Sequence, residues 1–127
     1  MYKKISDYGI IGNLQTIALV GFDGSIDWLC LPCIDSPSIF GALLDDCKGG
    51  RFSIHPTDQS DSVSEYVTDT NVLVTRFRTR SGVFQTTDFM LIAPDGEEQE
   101  QPELLRILEG LEGMVDAKIV FEPRFDY

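Results

Sequence analysis

Four residues of the chain are of types that bind zinc or perform thiol chemistry. Cys30 and Cys33 form a C-x-x-C pair, and Cys47 and His55 follow with the spacing C-x2-C-x13-C-x7-H. These types suit a tetrahedral Cys3His zinc site, but the spacing is not that of a standard finger. A catalytic dithiol usually begins a helix, whose dipole lowers the thiol pKa, whereas Cys30 closes a predicted strand. We therefore predict a small buried apolar Cys30 and no metal or cofactor, with a zinc or redox module as the weaker alternative.

The motifs of nucleophilic catalysis and of phosphate binding are missing from the sequence. His55 is the single histidine, and no G-x-S-x-G nucleophile elbow accompanies it. Neither G-x-x-x-x-G-K-[ST] nor G-x-G-x-x-G occurs, which argues against a P-loop and a dinucleotide site.

Paired carboxylates perform acid and base chemistry in glycosidases, and four aspartates outside the acidic loops are candidates: Asp23, Asp27, Asp35 and Asp88. A turn explains Asp23, and a turn or helix cap explains Asp35. Asp27 precedes Trp28, and a carboxylate beside an aromatic ring suits a sugar-facing surface, although the exposed face of a hairpin is the more common setting. The residues by themselves indicate no complete catalytic set.

The charge balance excludes several classes of partner. Ten basic residues against twenty-one acidic ones give a net charge of −11, which repels nucleic acid phosphates and anionic membrane surfaces. No apolar run is long enough for a transmembrane helix, and two lysines near the start precede no apolar stretch of the kind found in a secretory signal. Three cysteines are an odd number, which favours free thiols in a reducing compartment. We expect a cytoplasmic protein without nucleic acid or membrane partners.

Two hairpins dominate the predicted secondary structure. Apolar runs at 16–22 and 25–31 flank Asp23-Gly24, the signal for a two-residue type I′ turn in which the glycine takes a positive φ. Runs at 71–80 and 83–92 flank Ser81-Gly82 and predict a second hairpin with Arg80 opposite Val83.

Period-two alternation divides the second hairpin into two faces. The predicted core face consists of Leu73, Thr75, Phe77, Thr79, Phe84, Thr86, Asp88 and Met90. The predicted exposed face consists of Arg76, Arg78, Arg80, Val83, Gln85 and Thr87. Asp88 is the exception on the core face, and we expect backbone N–H groups or a hydroxyl to bind its carboxylate.

A third pair of strands is predicted at 103–109 and 115–122, with a turn at 110–113, although a helix over 103–112 is the alternative. One short helix is expected at 38–45 after the start signals Asp35, Ser36 and Pro37. The polar stretches 57–70 and 94–102 are expected to be loops. Six or more short strands with little helix predict an all-β fold, an antiparallel β-sandwich or part of one.

The chain also carries a series of short blocks along its whole length. They are D-Y-G-I-I-G-N at 7–13, A-L-V-G-F-D-G-S-I-D-W at 18–28, P-C-I-D-S-P-S-I-F at 32–40, G-G-R-F-S-I at 49–54, Y-V-T-D-T-N-V-L at 66–73, T-D-F-M at 87–90 and P-R-F-D-Y at 123–127. In this order they resemble the opening of bacterial and archaeal proteins of glycoside hydrolase family 15, the glucoamylase, glucodextranase and trehalase group. One departure is Cys33, which stands where the family commonly has arginine, so any contact of that arginine with a catalytic domain or substrate is missing.

The resemblance implies that 1–127 is an N-terminal, non-catalytic β-domain that stops partway through a larger sandwich. Family members continue with more strands, a linker and an (α/α)6 helical barrel. Two glutamates of that barrel act as general acid and base in the inverting hydrolysis of an α-glucosidic bond. Because the barrel is not in this chain, the resemblance implies no catalysis by the chain alone and a barrel domain as its partner.

The same resemblance implies that the domain packs on the barrel and shapes the rim of its sugar pocket. The candidate rim or interface residues are Asp27, Trp28, Pro32, Asp35, Ser36, Pro37 and Phe40. The candidate structural residues are Asp23, Gly24 and Asp88. For Trp28, a place in the core between the sheets is an equally good interpretation.

An interrupted sandwich would leave a strand uncovered near the end of the chain. In 115–121, Val115, Ala117, Ile119 and Phe121 alternate onto one side, and an uncovered edge of this kind favours pairing with a second copy or aggregation. We therefore expect a homodimer or a poorly soluble monomer. A stand-alone β-sandwich module that binds carbohydrate or protein is the alternative to a domain of a hydrolase.

Overall fold

The computed structural model describes residues 2–94 and 101–126. Within them a short 3-10 helix (Ile5–Asp7) precedes ten strands. The strands are β1 (Tyr8–Gly12), β2 (Ile17–Gly21), β3 (Ser25–Cys30), β4 (Ser38–Phe40), β5 (Arg51–Pro56), β6 (Asp61–Tyr66), β7 (Leu73–Arg78), β8 (Gly82–Met90), β9 (Leu104–Gly113) and β10 (Ala117–Glu122).

The strands form two antiparallel sheets, which confirms the all-β sandwich. The first sheet has the order β1-β2-β3-β5-β10, with β4 also paired to β3. The second sheet has the order β6-β7-β8-β9. Strands β9 and β10 therefore lie at the edges of two different sheets although they are neighbours in the sequence.

The core lies between the two sheets and is built from the inward faces of both. The larger apolar cluster comprises Ile11, Ala18, Val20, Ile26, Leu29, Phe40, Leu73 and Met90. A smaller cluster comprises Ile54, Phe77 and Phe84, and the rings of Phe77 and Phe84 stack with centroids 5.0 Å apart.

A buried arginine ties the two sheets together. Arg106 on β9 donates from Nε to Oδ1 of Asp88 on β8 at 2.7 Å and from Nη2 to Oδ2 at 3.3 Å. The same guanidinium donates to the carbonyls of Phe52 and Gly24 in the other sheet, each at 2.8 Å. Asp88 is fully buried, as predicted. Its expected partners, backbone N–H groups or a hydroxyl, were wrong. Its carboxylate instead accepts from the Arg106 guanidinium, since Asp88 and Arg106 are paired across β8 and β9. Burial raises the pKa of Asp88, and Arg106 offsets only part of that rise.

The first hairpin has a longer turn than predicted. The Gly24 N–H donates to the Gly21 carbonyl at 2.9 Å, so Phe22, Asp23 and Gly24 form a three-residue loop. Gly24 has a φ of +87°, as expected, while Asp23 does not have the positive φ that a type I′ turn requires. The Asp23 side chain accepts from the Ser25 N–H at 3.2 Å, which gives it the turn role that the sequence predicted.

The second hairpin has the predicted faces but a different register. Arg78 pairs with Val83 and Phe77 with Phe84, a slip of two residues from the expected pairing of Arg80 with Val83. A two-residue slip preserves which face each side chain occupies, so the core face stays buried, apart from the half-buried Thr79. Val83 is also buried, contrary to prediction, at a bulge between Val83 and Phe84 in the pairing with β9.

Two other expectations were wrong, and a third lies mostly outside the described residues. The segment 38–45 is not a helix: it contains β4, which pairs with β3, and then a turn closed by donation from the Leu44 and Asp45 N–H groups to the Gly41 carbonyl. The stretch 57–70 contains strand β6, which pairs along its whole length with β7. Of the expected loop 94–102, residues 95–100 lie outside the described part of the chain.

The third predicted pair consists of strands, but they do not form a hairpin. Strand β9 continues through Gly110 to Gly113 and pairs with β8, while β10 pairs with β5. The short connection at 114–116 carries the chain from one sheet to the other. Among the described residues, no helix is long and apolar enough to span a membrane.

Candidate functional site

Four of the predicted rim residues line one open pocket of about 440 Å³. Its lining comprises Trp28, Cys30, Ile34, Asp35, Ser36, Pro37, Ser38, Leu44 and Asp126. Trp28 is half-buried on β3, so it belongs to the pocket wall rather than to the centre of the core. The pocket offers an indole ring, two carboxylates and two hydroxyls, groups that suit contact with the apolar faces and hydroxyls of a sugar.

Backbone contacts hold the loop that forms one wall of this pocket. The Cys33 N–H donates to the Ser36 hydroxyl at 3.1 Å, and the Ser36 N–H donates back to the Cys33 carbonyl at 3.0 Å. The Ile34 N–H donates to the Gln15 carbonyl at 3.0 Å, which fastens the loop to the connection between β1 and β2. The Asp126 N–H donates to the Ser38 carbonyl at 2.9 Å, and both residues line the pocket. The P-R-F-D-Y block and the D-S-P-S block therefore meet at this pocket.

The structure places the other three predicted rim residues elsewhere. Phe40 is buried, with its ring centroid 6.2 Å from that of Phe52 and 5.8 Å from that of Phe121. Pro32, which follows a cis peptide bond, is exposed outside the pocket lining. Asp27 does not line this pocket: it is the extra residue where β3 bulges in its pairing with β2, and its side chain is buried among other polar groups.

Asp27 is the centre of a buried polar cluster that the sequence analysis missed. Its Oδ2 accepts from Lys3 Nζ at 2.7 Å and from the Tyr8 hydroxyl at 2.6 Å, and its Oδ1 accepts from the Ser25 hydroxyl at 2.5 Å. Lys3 Nζ also lies 2.9 Å from Asp23 Oδ2. Tyr8 lies in the family block at 7–13 and Asp27 in the block at 18–28. Their presence in two family blocks was the one sequence signal that could have indicated this contact.

The contacts shift the pKa of each group in this cluster. Burial pushes the pKa of Asp27 upward, but donation from Lys3, Ser25 and Tyr8 outweighs it and leaves the pKa below its usual value. Burial lowers the pKa of Lys3, but hydrogen bonds and charge attraction from Asp27 and Asp23 outweigh it and raise the pKa above its usual value. Burial and the neighbouring Asp27 both raise the pKa of Tyr8. The cluster therefore consists of an ionised aspartate, a charged lysine and a neutral tyrosine, which is a structural arrangement.

The cysteines and the histidine are not brought together. Cys30 is buried at the end of β3, as predicted, and burial raises the pKa of its thiol; Cys33 is half-buried, and Cys47 is exposed. His55 lies on β5 and lines a separate small pocket with Arg51 and Asp23. Within residues 2–94 and 101–126, the His, Cys, Asp and Glu side chains form no group of three or more that could hold a metal ion.

The arrangement of these blocks is matched by a family of known proteins. The family described as "Trehalase-like, N-terminal" matches residues 2–127. This chain belongs to that family. The trehalase of Thermoplasma volcanium is 42% identical over 99% of this chain and 20% of its own length. The trehalase of Thermoplasma acidophilum is 43% identical over 86% of this chain and 19% of its own length.

More distant relatives of this trehalase-like domain show the same proportions. The trehalase of Mycolicibacterium smegmatis is 30% identical over 99% of the chain and 21% of its own length. The chain thus spans about a fifth of the length of the curated relatives that it matches. No solved structure matches the chain.

Proposed function

We propose that this trehalase-like domain is the N-terminal, non-catalytic part of an α-glucoside hydrolase, and that it packs on a helical-barrel catalytic domain and shapes the rim of its sugar pocket. The observation that carries the proposal is the pocket at Trp28, where two separate family blocks meet around an indole ring and the carboxylates of Asp35 and Asp126. The relatives are called trehalases and are about five times as long as this chain, which supports a second domain on the same polypeptide. The three free cysteines support a reducing, cytoplasmic location.

The proposed chemistry divides between the two domains. The barrel would supply the acid and the base for inverting hydrolysis, whereas the pocket described here supplies contact groups. Those groups can position a sugar ring by stacking and by accepting hydrogen bonds from its hydroxyls.

The test compares the purified chain with the complete reading frame that contains it, using trehalose and maltose as substrates. We expect turnover by the complete protein and none above a buffer blank by the chain alone. In the complete protein, Trp28→Ala should lower kcat/KM by about tenfold through lost positioning, while Val63→Ala, at an exposed site on β6, should leave it unchanged. Turnover by the chain alone, or equal activity of Trp28→Ala and wild type, would contradict the proposal.

A further inference from the structure

A second surface beside the pocket at Trp28 has unusual geometry. Leu14, in the connection between β1 and β2, is 90% exposed and has a φ of +75°. Leucine rarely adopts this left-handed conformation, which glycine and asparagine tolerate much better. A large apolar side chain is thus held in solvent by a backbone conformation that disfavours it.

Hydrogen bonds on both sides of Leu14 hold it in place. The Asn13 Oδ1 accepts from the backbone N–H groups of Gln15 and Thr16 at 3.0 and 2.9 Å. The Thr16 hydroxyl donates to the Cys30 carbonyl at 2.6 Å, and the Asn71 side chain donates to the Gly12 carbonyl at 3.2 Å. These contacts anchor the turn to β3 and to the segment that precedes β7, so the position of Leu14 is set by the fold.

Leu14 is part of a larger uncharged surface. It lines an open pocket of about 500 Å³ together with Ile10, Ile17, Ile34 and Ile92. None of the nine lining residues carries a charge, although 24% of the residues in the chain do. Depletion of charge with exposed apolar side chains is the composition of the centre of a protein–protein interface.

We call the surface formed by these nine residues the Leu14 surface. It is continuous with the pocket at Trp28. Ile34 lines both, and its N–H is bonded to Gln15, the residue after Leu14. A partner that covers the Leu14 surface would therefore also lie against the loop that carries Asp35 and Ser36. About four-fifths of the length of the relatives lies outside the region matched by this chain, so a large neighbour on the same polypeptide is available to cover it.

We infer that the Leu14 surface is the site where the catalytic domain of the same polypeptide docks, with the Leu14 side chain inserted into an apolar hollow of that domain. This inference rests on the proposed function and adds to it the surface and the residue that fix the orientation of the two domains. Burial of Leu14 in the partner compensates for its unfavourable backbone conformation, and the docking places the pocket at Trp28 at the domain boundary.

The test uses the complete protein and two charge-inserting variants, Leu14→Asp and Met114→Asp. Met114 is the matched control, because it is an apolar residue, 85% exposed, in the connection between β9 and β10. Its N–H binds the Ser81 carbonyl at the end of the sandwich away from Asn71. Aspartate is well tolerated at positive φ, so Leu14→Asp should fold. A further variant, Leu14→Gly, removes the side chain and the backbone strain together.

Hydrogen exchange of the amides in 10–17 and 31–37 is the primary measurement. We expect Leu14→Asp and Leu14→Gly to increase exchange in these segments by about tenfold, since docking no longer protects them, and to lower kcat/KM for trehalose. We expect Met114→Asp to behave like wild type in both measurements.

Three results would overturn the inference. The first is that the Leu14 and Met114 variants show the same hydrogen exchange and the same kcat/KM. The second is that only Met114→Asp changes either measurement. The third is that light scattering shows Leu14→Asp converting a dimer into a monomer without a change in activity, because a second copy of the chain would then be the occupant. The absence of hydrolysis by the wild-type complete protein would instead contradict the proposed function, and the two failures can be told apart.

Discussion

At the scale of single residues, the buried carboxylates Asp27 and Asp88 perform different structural work. Asp27 joins the start of the chain to β3 through Lys3 and Tyr8. Asp88 joins the two sheets through Arg106. Alternation predicts a buried Asp88, whereas Asp27 is buried at a bulge of β3. The charge of Asp88 is satisfied by Arg106, and that of Asp27 by Lys3 together with the hydroxyls of Tyr8 and Ser25.

Asp27→Asn should lower the free energy of unfolding at pH 7 by about 1.5–3 kcal/mol, because it weakens hydrogen bonds to a charged acceptor. The pKa of folded Asp27 lies below its usual value of 3.8, so on acidification the unfolded chain takes up the proton first. The stabilisation is therefore present above the unfolded pKa and is lost as the pH falls through the folded pKa. Urea unfolding as a function of pH should show the variant and wild type converging at acidic pH. The control is Asp35→Asn, an exposed site, and a constant difference at every pH would contradict this role.

Asp88→Ala should lower the free energy of unfolding by about 3–5 kcal/mol, because it leaves the buried Arg106 guanidinium without its counter-charge. The double variant D88L/R106M should regain much of that loss, since it replaces the ion pair with apolar side chains of similar size. Chemical denaturation of the single and double variants measures both values. An unchanged denaturation midpoint in Asp88→Ala would show that the ion pair contributes nothing to stability.

At the scale of elements, the turn between β2 and β3 depends on one glycine. Gly24 has a φ of +87°, and a Cβ added there would lie 2.0 Å from the Ile54 carbonyl oxygen in the neighbouring strand. The same carbonyl group of Gly24 that accepts from Arg106 also accepts from the Ile54 N–H at 3.1 Å. The turn therefore closes its own hairpin and also contacts β5 and, through Arg106, the second sheet.

Gly24→Ala should destabilise the fold by more than about 1–2 kcal/mol, the usual penalty of a left-handed alanine, because the steric clash adds to it. Gly110→Ala is the matched control, since nothing lies within 4 Å of an added Cβ and Gly110 sits inside strand β9. The control should be neutral or stabilising by about 0.5–1 kcal/mol. Thermal unfolding of the two variants provides the comparison, and equal melting temperatures would refute the proposed importance of the turn.

At the scale of the whole molecule, apolar side chains remain exposed on an outer strand. Strand β10 is an edge of the first sheet, and Ile119 and Phe121 on it are 59% and 62% exposed. Strand β9 is an edge of the second sheet and exposes Ile107 and Leu111. Unpaired edges with apolar side chains favour the addition of another strand.

We predict that the isolated chain forms a dimer or larger particles in dilute solution, because pairing of β10 edges buries these side chains. Light scattering should give a mass above the 14.2 kDa of one chain. Ile119→Lys should shift the mass toward that of the monomer, since an edge lysine opposes strand pairing. Val63→Lys, at an exposed site on the edge strand β6, is the control. A well-folded wild-type monomer would show that the strands close their own core.

The amino-acid sequence by itself determined the all-β class, the faces of β7 and β8 apart from Val83 and Thr79, the positive φ of Gly24 and the burial of Asp88, but it did not reveal strands β4 and β6. Each follows from a local rule. The alternation of apolar and polar residues predicts the strand faces and the burial of Asp88, and turn chemistry predicts the positive φ of Gly24. The family blocks also suggested seven rim residues, of which Trp28, Asp35, Ser36 and Pro37 line one pocket and Asp27, Pro32 and Phe40 do not.

Only the tertiary structure decided the pairing of β9 with β8 and of β10 with β5, the register of β7 on β8, and the partners of Asp27 and Asp88. Period-two alternation is unchanged by a two-residue slip, so it cannot distinguish the two registers. It also does not specify which sheet edge a strand joins, because that choice depends on contacts between residues far apart in the chain. The partners Lys3 and Arg106 lie 24 and 18 residues from their aspartates, and the fold that brings them together also places Leu14 beside the pocket at Trp28.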